Sequence, residues 1–427
     1  MSHFGVICPP IAGHINPLAA LGRTLIGRGH RVTVFQVAEF ESKVRSEELE
    51  FAPLGSDYFP PGTLAKSIAK LASLSGMKSL KYAVECERRI SQVILEFAPE
   101  AVRAAGIDAL LVDQNEPAGA TVAEHLELPF ASICTSLPLN REPLIPPPFV
   151  GWSWQDSVWA RFRNKIGYAV SDHFIGPIQE ILNQYRKRWS LPPLRTPDDS
   201  FSRVAQLAQM PREFDFPREA LPSGFHYLGP WFDRGSSKTP FPFEKLDGRP
   251  LIYGSLGTLQ SKDSHYFSLI AEACAGLDAQ LVLSLGDAGG VDVPTLSGKP
   301  LVVNYAPQTE LLSRAALTIT HAGMNTTQQS LYFGVPMIAI PLAHDQPAIA
   351  ARLARTGAGI VIPPRRLSHT RLRDAVASAL SPDSSYRIHA RRLQETIRQA
   401  GGLERAADII EQVIGPGRSV AGDRGGM

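Results

Sequence analysis

Tyr305-Ala306-Pro307-Gln308, His321-Ala322-Gly323-Met324-Asn325-Thr326, Gly334-Val335-Pro336-Met337 and His344-Asp345-Gln346 punctuate the stretch that decides the fold. Short apolar runs of buried-strand character lie between them, so strand ends and helix starts alternate along the chain. Those ends can face one crevice. In an open α/β sheet the crevice beyond the carboxyl ends of the strands is where ligands bind. The turns carry an aromatic ring, a histidine with hydroxyls at a helix start, and a carboxylate beside an amide. Such parts suit a base, a phosphate and a sugar, and they predict an enzyme that uses a nucleotide sugar.

Each turn has a physical reading. The run 317–320 feeds His321, and the helix opening just after it points amide groups with partial positive charge at the crevice, which favours a diphosphate. His321 alone reads equally as a packing or capping residue; Gly323, Asn325 and Thr326 beside it tilt the reading to phosphate. Upstream, Tyr253-Gly254-Ser255-Leu256-Gly257-Thr258 leaves a strand through glycines and hydroxyls. Ser255 and Thr258 can donate to phosphate oxygens there, although turns of this kind are common. Asp345 and Gln346 offer two acceptor oxygens and an amide, which suits a hexose, with a helix cap as the alternative reading of Asp345.

Further strands are expected at 251–253, 280–284, 301–303 and 337–340, separated by helical patterns, which implies a parallel sheet covered on both faces. A Gly/Pro/Ser-rich boundary covers 229–245. The amino-terminal half repeats the pattern: strands at 4–8, 32–35, 109–112 and 128–134, with helices after Asn16-Pro17 and after Pro117. Asparagine is a strong N-cap and proline suits the first helical position, so the first helix is expected to begin at Pro17. The fold class is therefore α/β, two doubly wound domains facing a cleft. The amino-terminal domain spans 1–228, the linker 229–245 and the second domain 246–414, with a disordered glycine-rich tail at 415–427. Segments 58–80 and 136–168 are rich in proline and large apolar residues. They read as irregular packing between domains or as a wall for a large apolar ligand.

Composition excludes several classes. A chain of 427 residues is long for one core and favours two domains of roughly 200 residues. A net charge of +2 argues against nucleic acid as a partner. The four cysteines have no paired spacing, which argues against a disulfide framework or structural zinc and suits a cytoplasmic protein. No apolar stretch approaches the roughly 20 residues of a spanning helix, so any membrane contact is expected to be peripheral.

Segment 305–346 resembles the donor-binding box of the family 1 UDP-glycosyltransferases, and Gly13-His14 resembles that family's catalytic turn. More specifically, the chain resembles the bacterial zeaxanthin glucosyltransferases of that family. That likeness is carried by Val112-Asp113-Gln114-Asn115-Glu116-Pro117, Leu137-Pro138-Leu139-Asn140-Arg141-Glu142-Pro143, Asp215-Phe216-Pro217-Arg218 and Ser255-Leu256-Gly257-Thr258-Leu259-Gln260.

The resemblance implies a GT-B fold and an inverting, metal-independent transfer with no cofactor beyond the co-substrate UDP-glucose. It implies that His14 is the base for the acceptor hydroxyl and that Asp113 stabilises the imidazolium, as a triad aspartate does. Tyr305 would stack on uracil and Gln308 would lie by base and ribose. Ser255, Thr258, His321, Gly323, Asn325 and Thr326 would hold the diphosphate, and Asp345 and Gln346 the glucose. Gln329 stands where the family usually has an acidic ribose ligand, and an amide there loses charge assistance.

The expected acceptor is a carotenoid diol, zeaxanthin, drawn from a membrane that the protein touches peripherally. Phe149, Trp152, Trp154 and Trp159 are the candidate acceptor-side and membrane-boundary residues. The alternatives are another lipophilic acceptor (a sterol, polyketide or phenol), a nucleotide-sugar epimerase, or a non-catalytic binder.

Overall fold

The computed structural model describes residues 1–74, 76–233, 239–257, 264–286 and 296–414. The first half winds through β1 (His3–Ile7), α1 (Ala12–Gly27), β2 (Arg31–Val37), α2 (Glu41–Ser46) and β3 (Glu50–Leu54). It continues with α3 (Thr63–Ser73), α4 (Gly76–Ala105), β4 (Ala109–Asp113), α5 (Pro117–His125) and β5 (Phe130–Cys134). The long α6 (Val158–Arg188), β6 (Gln206–Ala208) and β7 (Phe225–Tyr227) complete it. The second half comprises β8 (Leu251–Ser255), α7 (Ser264–Cys274), β9 (Gln280–Ser284), β10 (Leu301–Val303), α8 (Gln308–Leu312) and β11 (Ala315–Thr320). After these come α9 (Met324–Tyr332), β12 (Met337–Ala339), α10 (Gln346–Thr356), β13 (Gly359–Val361), α11 (His369–Leu380), α12 (Ser385–Gln399) and α13 (Gly402–Ile414).

The strands form two parallel sheets, ordered β3-β2-β1-β4-β5-β6-β7 and β10-β9-β8-β11-β12-β13. Their central strands are buried from end to end, as sheets covered by helices on both faces require. The strand order reverses between β1 and β4 in one sheet and between β8 and β11 in the other. Those reversals open the crevices in which α/β proteins bind ligands.

The structure differs from expectation at four places. First, α1 begins at Ala12, so Pro17 lies inside the helix and His14 in its first turn. Second, 58–80 is largely helical, taken up by α3 and the start of α4. Third, 136–168 is irregular only up to Ser157, whose hydroxyl caps α6 by accepting from the Ala160 amide. Fourth, α13 leaves the second domain: Ala406, Ile409, Ile410 and Ile414 pack with Leu18, Leu21 and Leu25 of α1 in the first core. The unit expected to run to 414 thus gives up its last helix to the first domain. The tail 415–427 and part of the expected linker lie outside the described residues.

A shared apolar cluster joins the halves, with Leu137, Met210 and Phe214 from one side against Met324, Ile349 and Leu353 from the other. Beside it is a buried ion network. Asp215 Oδ1 accepts from Arg352 Nε at 2.7 Å, and Oδ2 accepts from Arg218 Nε at 2.6 Å and from the Tyr227 hydroxyl at 2.8 Å. Arg352 belongs to α10, so the network ties the helix that follows Asp345 to the first domain. No helix among the described residues is long and apolar enough to cross a membrane.

Candidate active site

His14 and Asp113 meet at the first reversal of strand order. The Nδ1–H of His14 donates to Asp113 Oδ2 at 2.8 Å, and the Thr135 hydroxyl donates to the same oxygen at 2.6 Å. The other oxygen, Oδ1, accepts from the Asn115 amide nitrogen at 2.9 Å. Asp113 is fully buried, and the His14 side chain keeps a small opening to the cleft. Holding the proton on Nδ1 leaves Nε2 as the nitrogen with a free lone pair. Burial would lower the His14 pKa, but the Asp113 carboxylate beside it outweighs burial and raises it. Burial works against ionisation of Asp113 too, and there the imidazole and the hydrogen bonds win, holding it low. Two neighbouring carboxyls behave oppositely. Burial pushes Glu116 up to about 8 and Glu87 up to about 7, and Glu116 accepts from the Ser91 hydroxyl at 2.9 Å. Negative charge is therefore concentrated on the carboxylate that holds the histidine.

The donor side assembles at the second reversal, where Thr320 of β11 pairs with Ser255 of β8. The His321 ring is wedged between two glycines: a Cβ on Gly257 or Gly323 would come within 2.7 or 2.5 Å of ring atoms. Burial pushes its pKa down to about 4, so the ring is neutral at neutral pH. Ala322 (φ 66°) and His344 (φ 55°) both adopt the left-handed conformation that disfavours side chains. They stand in the turns before α9 and α10, and such strain, about 1–3 kcal/mol each, gathers at ligand-binding turns.

Gln308 and Gln329 touch: Gln308 Nε2 donates to Gln329 Oε1 at 2.8 Å, while Gln308 Oε1 accepts from the Thr326 hydroxyl at 3.1 Å. Tyr305, three residues before α8, is half exposed. Thr258 lies outside the described residues.

Three donor candidates are engaged within the protein. Pro17 has no N–H for the carbonyl of Gly13 four residues earlier, and Asn325 Nδ2 supplies that donor across the cleft at 3.0 Å. Asn325 Oδ1 accepts from Gln209 Nε2 at 3.0 Å. Asp345 accepts a short hydrogen bond from the Ser136 hydroxyl. Gln346 Oε1 accepts from the amides of Leu342 and Ala343 at 2.8 and 2.9 Å, so its oxygen shapes the turn before α10.

The aromatic acceptor candidates are not gathered into one wall. Trp152 is half-buried, covered by the Arg163 guanidinium 4.9 Å from its ring centroid and packed against Gly167. Trp154 is half-buried as well, whereas Phe149 and Trp159 face outward. The loop does reach the donor side, since a Cβ on Gly151 would meet Pro347 of α10 at 3.3 Å. Thr135, Ser136, Gln209 and Glu116 are site residues that the sequence reading missed. The one available signal was that Thr135 and Ser136 directly follow the apolar run of β5. Among the described residues no group of three or more His, Cys, Asp or Glu side chains is gathered as a metal site.

The sequence model described as UDP-glucoronosyl and UDP-glucosyl transferase matches residues 25–413. The chain belongs to the UDP-glycosyltransferase family. This glycosyltransferase is 36% identical to a zeaxanthin glucosyltransferase of Pantoea ananas over 100% of its own length and 99% of the relative's. It is 33% identical to one of Pseudescherichia vulneris over 99% of its length and 100% of the relative's. The solved glycotransferase of kitacinnamycin superposes with a TM-score of 0.74 at 23% identity, covering 97% of this chain and 99% of that one. The calicheamicin glycosyltransferase superposes with a TM-score of 0.70 at 21% identity, over 97% and 98%. The fold of the enzyme is therefore GT-B.

Gln329→Glu in this glycosyltransferase should tighten UDP binding several-fold. A glutamate keeps the oxygen that Gln308 uses and adds charge assistance worth about 1 kcal/mol toward a ribose hydroxyl. Calorimetry with UDP checks this, and unchanged or weaker binding would mean that position 329 does not reach the ribose.

Proposed function

We propose that this enzyme moves glucose from UDP-glucose to the ring hydroxyls of a carotenoid diol, zeaxanthin or a close analogue, in two rounds that cap both ends. The observation that carries the acceptor is the full-length similarity to two zeaxanthin glucosyltransferases. The chemistry rests on the His14–Asp113 pair. His14 Nε2 removes the acceptor's hydroxyl proton as the oxygen attacks the anomeric carbon from the face opposite UDP, and the bond from that carbon to the β-phosphate oxygen breaks. UDP leaves with the electron pair, and the product is a β-glucoside. Asp113 offsets the charge of the imidazolium formed on His14.

In this reading the leaving diphosphate is met by the amino-terminal amides of α9, by Ser255 and Thr326, and by neutral His321, with no divalent metal. Asp345 and Gln346 stand on the glucose side. A C40 diol is almost insoluble in water, so the enzyme works at a membrane surface as a peripheral protein.

The test is product analysis by mass spectrometry of the purified enzyme with UDP-glucose and zeaxanthin-loaded vesicles, in excess chelator. Mono- and diglucosides are expected. Products from a water-soluble phenol alone would sink the carotenoid assignment and leave the glycosyltransferase standing, and dependence on added magnesium would remove the metal-free mechanism.

A further inference from the structure

The amino-terminal half of α6 carries an apolar face that the described residues leave exposed. Val158, Trp159, Phe162, Ile166 and Val170 are 84%, 64%, 55%, 48% and 52% exposed. At helical spacing they fall, with Ala169, within roughly a 120° arc of the helix surface. Basic side chains border the arc. Arg161 and Lys165 lie on one side and Arg163 on the other, and no acidic residue occurs between Ser157 and Ser171. The carboxylates flanking this stretch are both paired, Asp156 with Arg161 at 3.7 Å and Asp172 with Arg141 at 2.9 Å. A soluble protein seldom displays a contiguous row of large apolar side chains without a partner for it.

The pairing of apolar arc and basic border selects the partner. An amphipathic helix of this pattern lies in the plane of a bilayer interface, its apolar face at the acyl boundary and its cations at anionic headgroups. The arc is also well placed for the reaction. Gly151 abuts Pro347 at the start of the helix that follows Asp345, and the chain from there to Val158 can span at most about 25 Å. We infer that the exposed face of α6 is the surface by which this enzyme docks on an anionic membrane leaflet, holding the cleft within reach of a lipid-dissolved acceptor. This rests on the reading of the enzyme as a peripheral membrane protein and assigns the contact to α6, in place of the half-buried Trp152 and Trp154.

The experiment compares wild type with the triple variant Phe162→Gln, Ile166→Gln, Val170→Gln. Both are sedimented with vesicles of phosphatidylglycerol and phosphatidylcholine and with vesicles of phosphatidylcholine alone. Transfer to a small water-soluble phenol and UDP binding are measured alongside, and both should be unchanged, because these side chains are exposed and none belongs to the site described above. Wild type should prefer the anionic vesicles and lose affinity as salt is raised. The variant should bind them roughly 100-fold more weakly, the loss expected from three partly inserted apolar side chains. If wild type and variant sediment equally, the surface assignment fails and the peripheral reading survives. If wild type binds neither vesicle, both fail. If analytical ultracentrifugation shows that wild type dimerises and the variant does not, the face belongs to a contact between copies and the inference is overturned.

Discussion

His14→Ala should lower glucosyl transfer by about 10²–10⁴-fold while UDP binding stays close to wild type, because a lost general base typically costs that much in rate. The asymmetry follows from geometry. The imidazole is anchored to Asp113 at 2.8 Å on the first domain, whereas the donor turns belong to the second. A variant that binds UDP and transfers glucose at the wild-type rate would remove His14 as the base.

The same pair sets a pH profile with a definite sign. A base must be neutral to act, and the folded pKa of His14 lies above its ordinary value of about 6.5, because Asp113 outweighs burial. Activity should therefore rise with pH through a limb above about 6.5. Asp113→Asn should shift that limb to lower pH and also lower the plateau, since an amide can hold the wrong imidazole tautomer. A wild-type limb below pH 6, or one that Asp113→Asn leaves in place, contradicts the assignment.

Much of the fold was legible because strands buried on both faces read as unbroken apolar runs. The expected strand at 280–284 coincides with β9, buried over 281–284, and even the half-buried edge strand β10 matches the apolar run expected at 301–303. The start of α1 was not legible, for a specific reason. The carbonyl that Pro17 leaves without its helical donor is satisfied by Asn325, 312 positions away, and nothing local announces that repair. The pairing of His14 with Asp113 comes from the family resemblance; Asp113 also closes the apolar run of β4, whereas His14 stands in the first turn of α1, seven residues past the end of β1. Thr135, Ser136 and Gln209 are single hydroxyl or amide groups without a periodic signature, and their partners are distant in sequence: Asp113 for Thr135, and Asp345 and Asn325 across the cleft for Ser136 and Gln209. The tryptophans near position 152 were conspicuous as a composition, but burial depends on what covers them. Arg163 covers Trp152, and the exposed apolar row lies further on, along α6.

Segment Asp215-Phe216-Pro217-Arg218 stood out in the sequence without a role, and its position in the fold gives it the second large effect. Asp215→Ala should destabilise the enzyme by about 3–5 kcal/mol, the range for breaking a buried ion pair by deleting one partner. Both oxygens of Asp215 are committed, to Arg352 at 2.7 Å and to Arg218 at 2.6 Å, and the three side chains are essentially inaccessible. Deleting the carboxylate leaves two guanidinium groups facing each other. Arg218 keeps the carbonyl oxygens of Asn140 and Pro138 and a longer ion pair with buried Glu142 at 3.5 Å, whereas Arg352 keeps the carbonyl of Ala348 and the face of Phe216 and loses its carboxylate. Arg352→Met should cost less, because Asp215 retains Arg218. The pH dependence follows from the direction of the shift. Burial opposes ionisation of Asp215, yet the two arginines hold its pKa below the ordinary carboxylate range. A depressed pKa contributes stability that is complete above the unfolded value, about 3.9, and is lost as pH falls through the folded value. Urea unfolding should accordingly show the full gap between wild type and Asp215→Ala at pH 7, with the gap closing only as pH drops below about 4. A difference under about 1 kcal/mol at pH 7 would mean that the network does not hold α10 to the first domain.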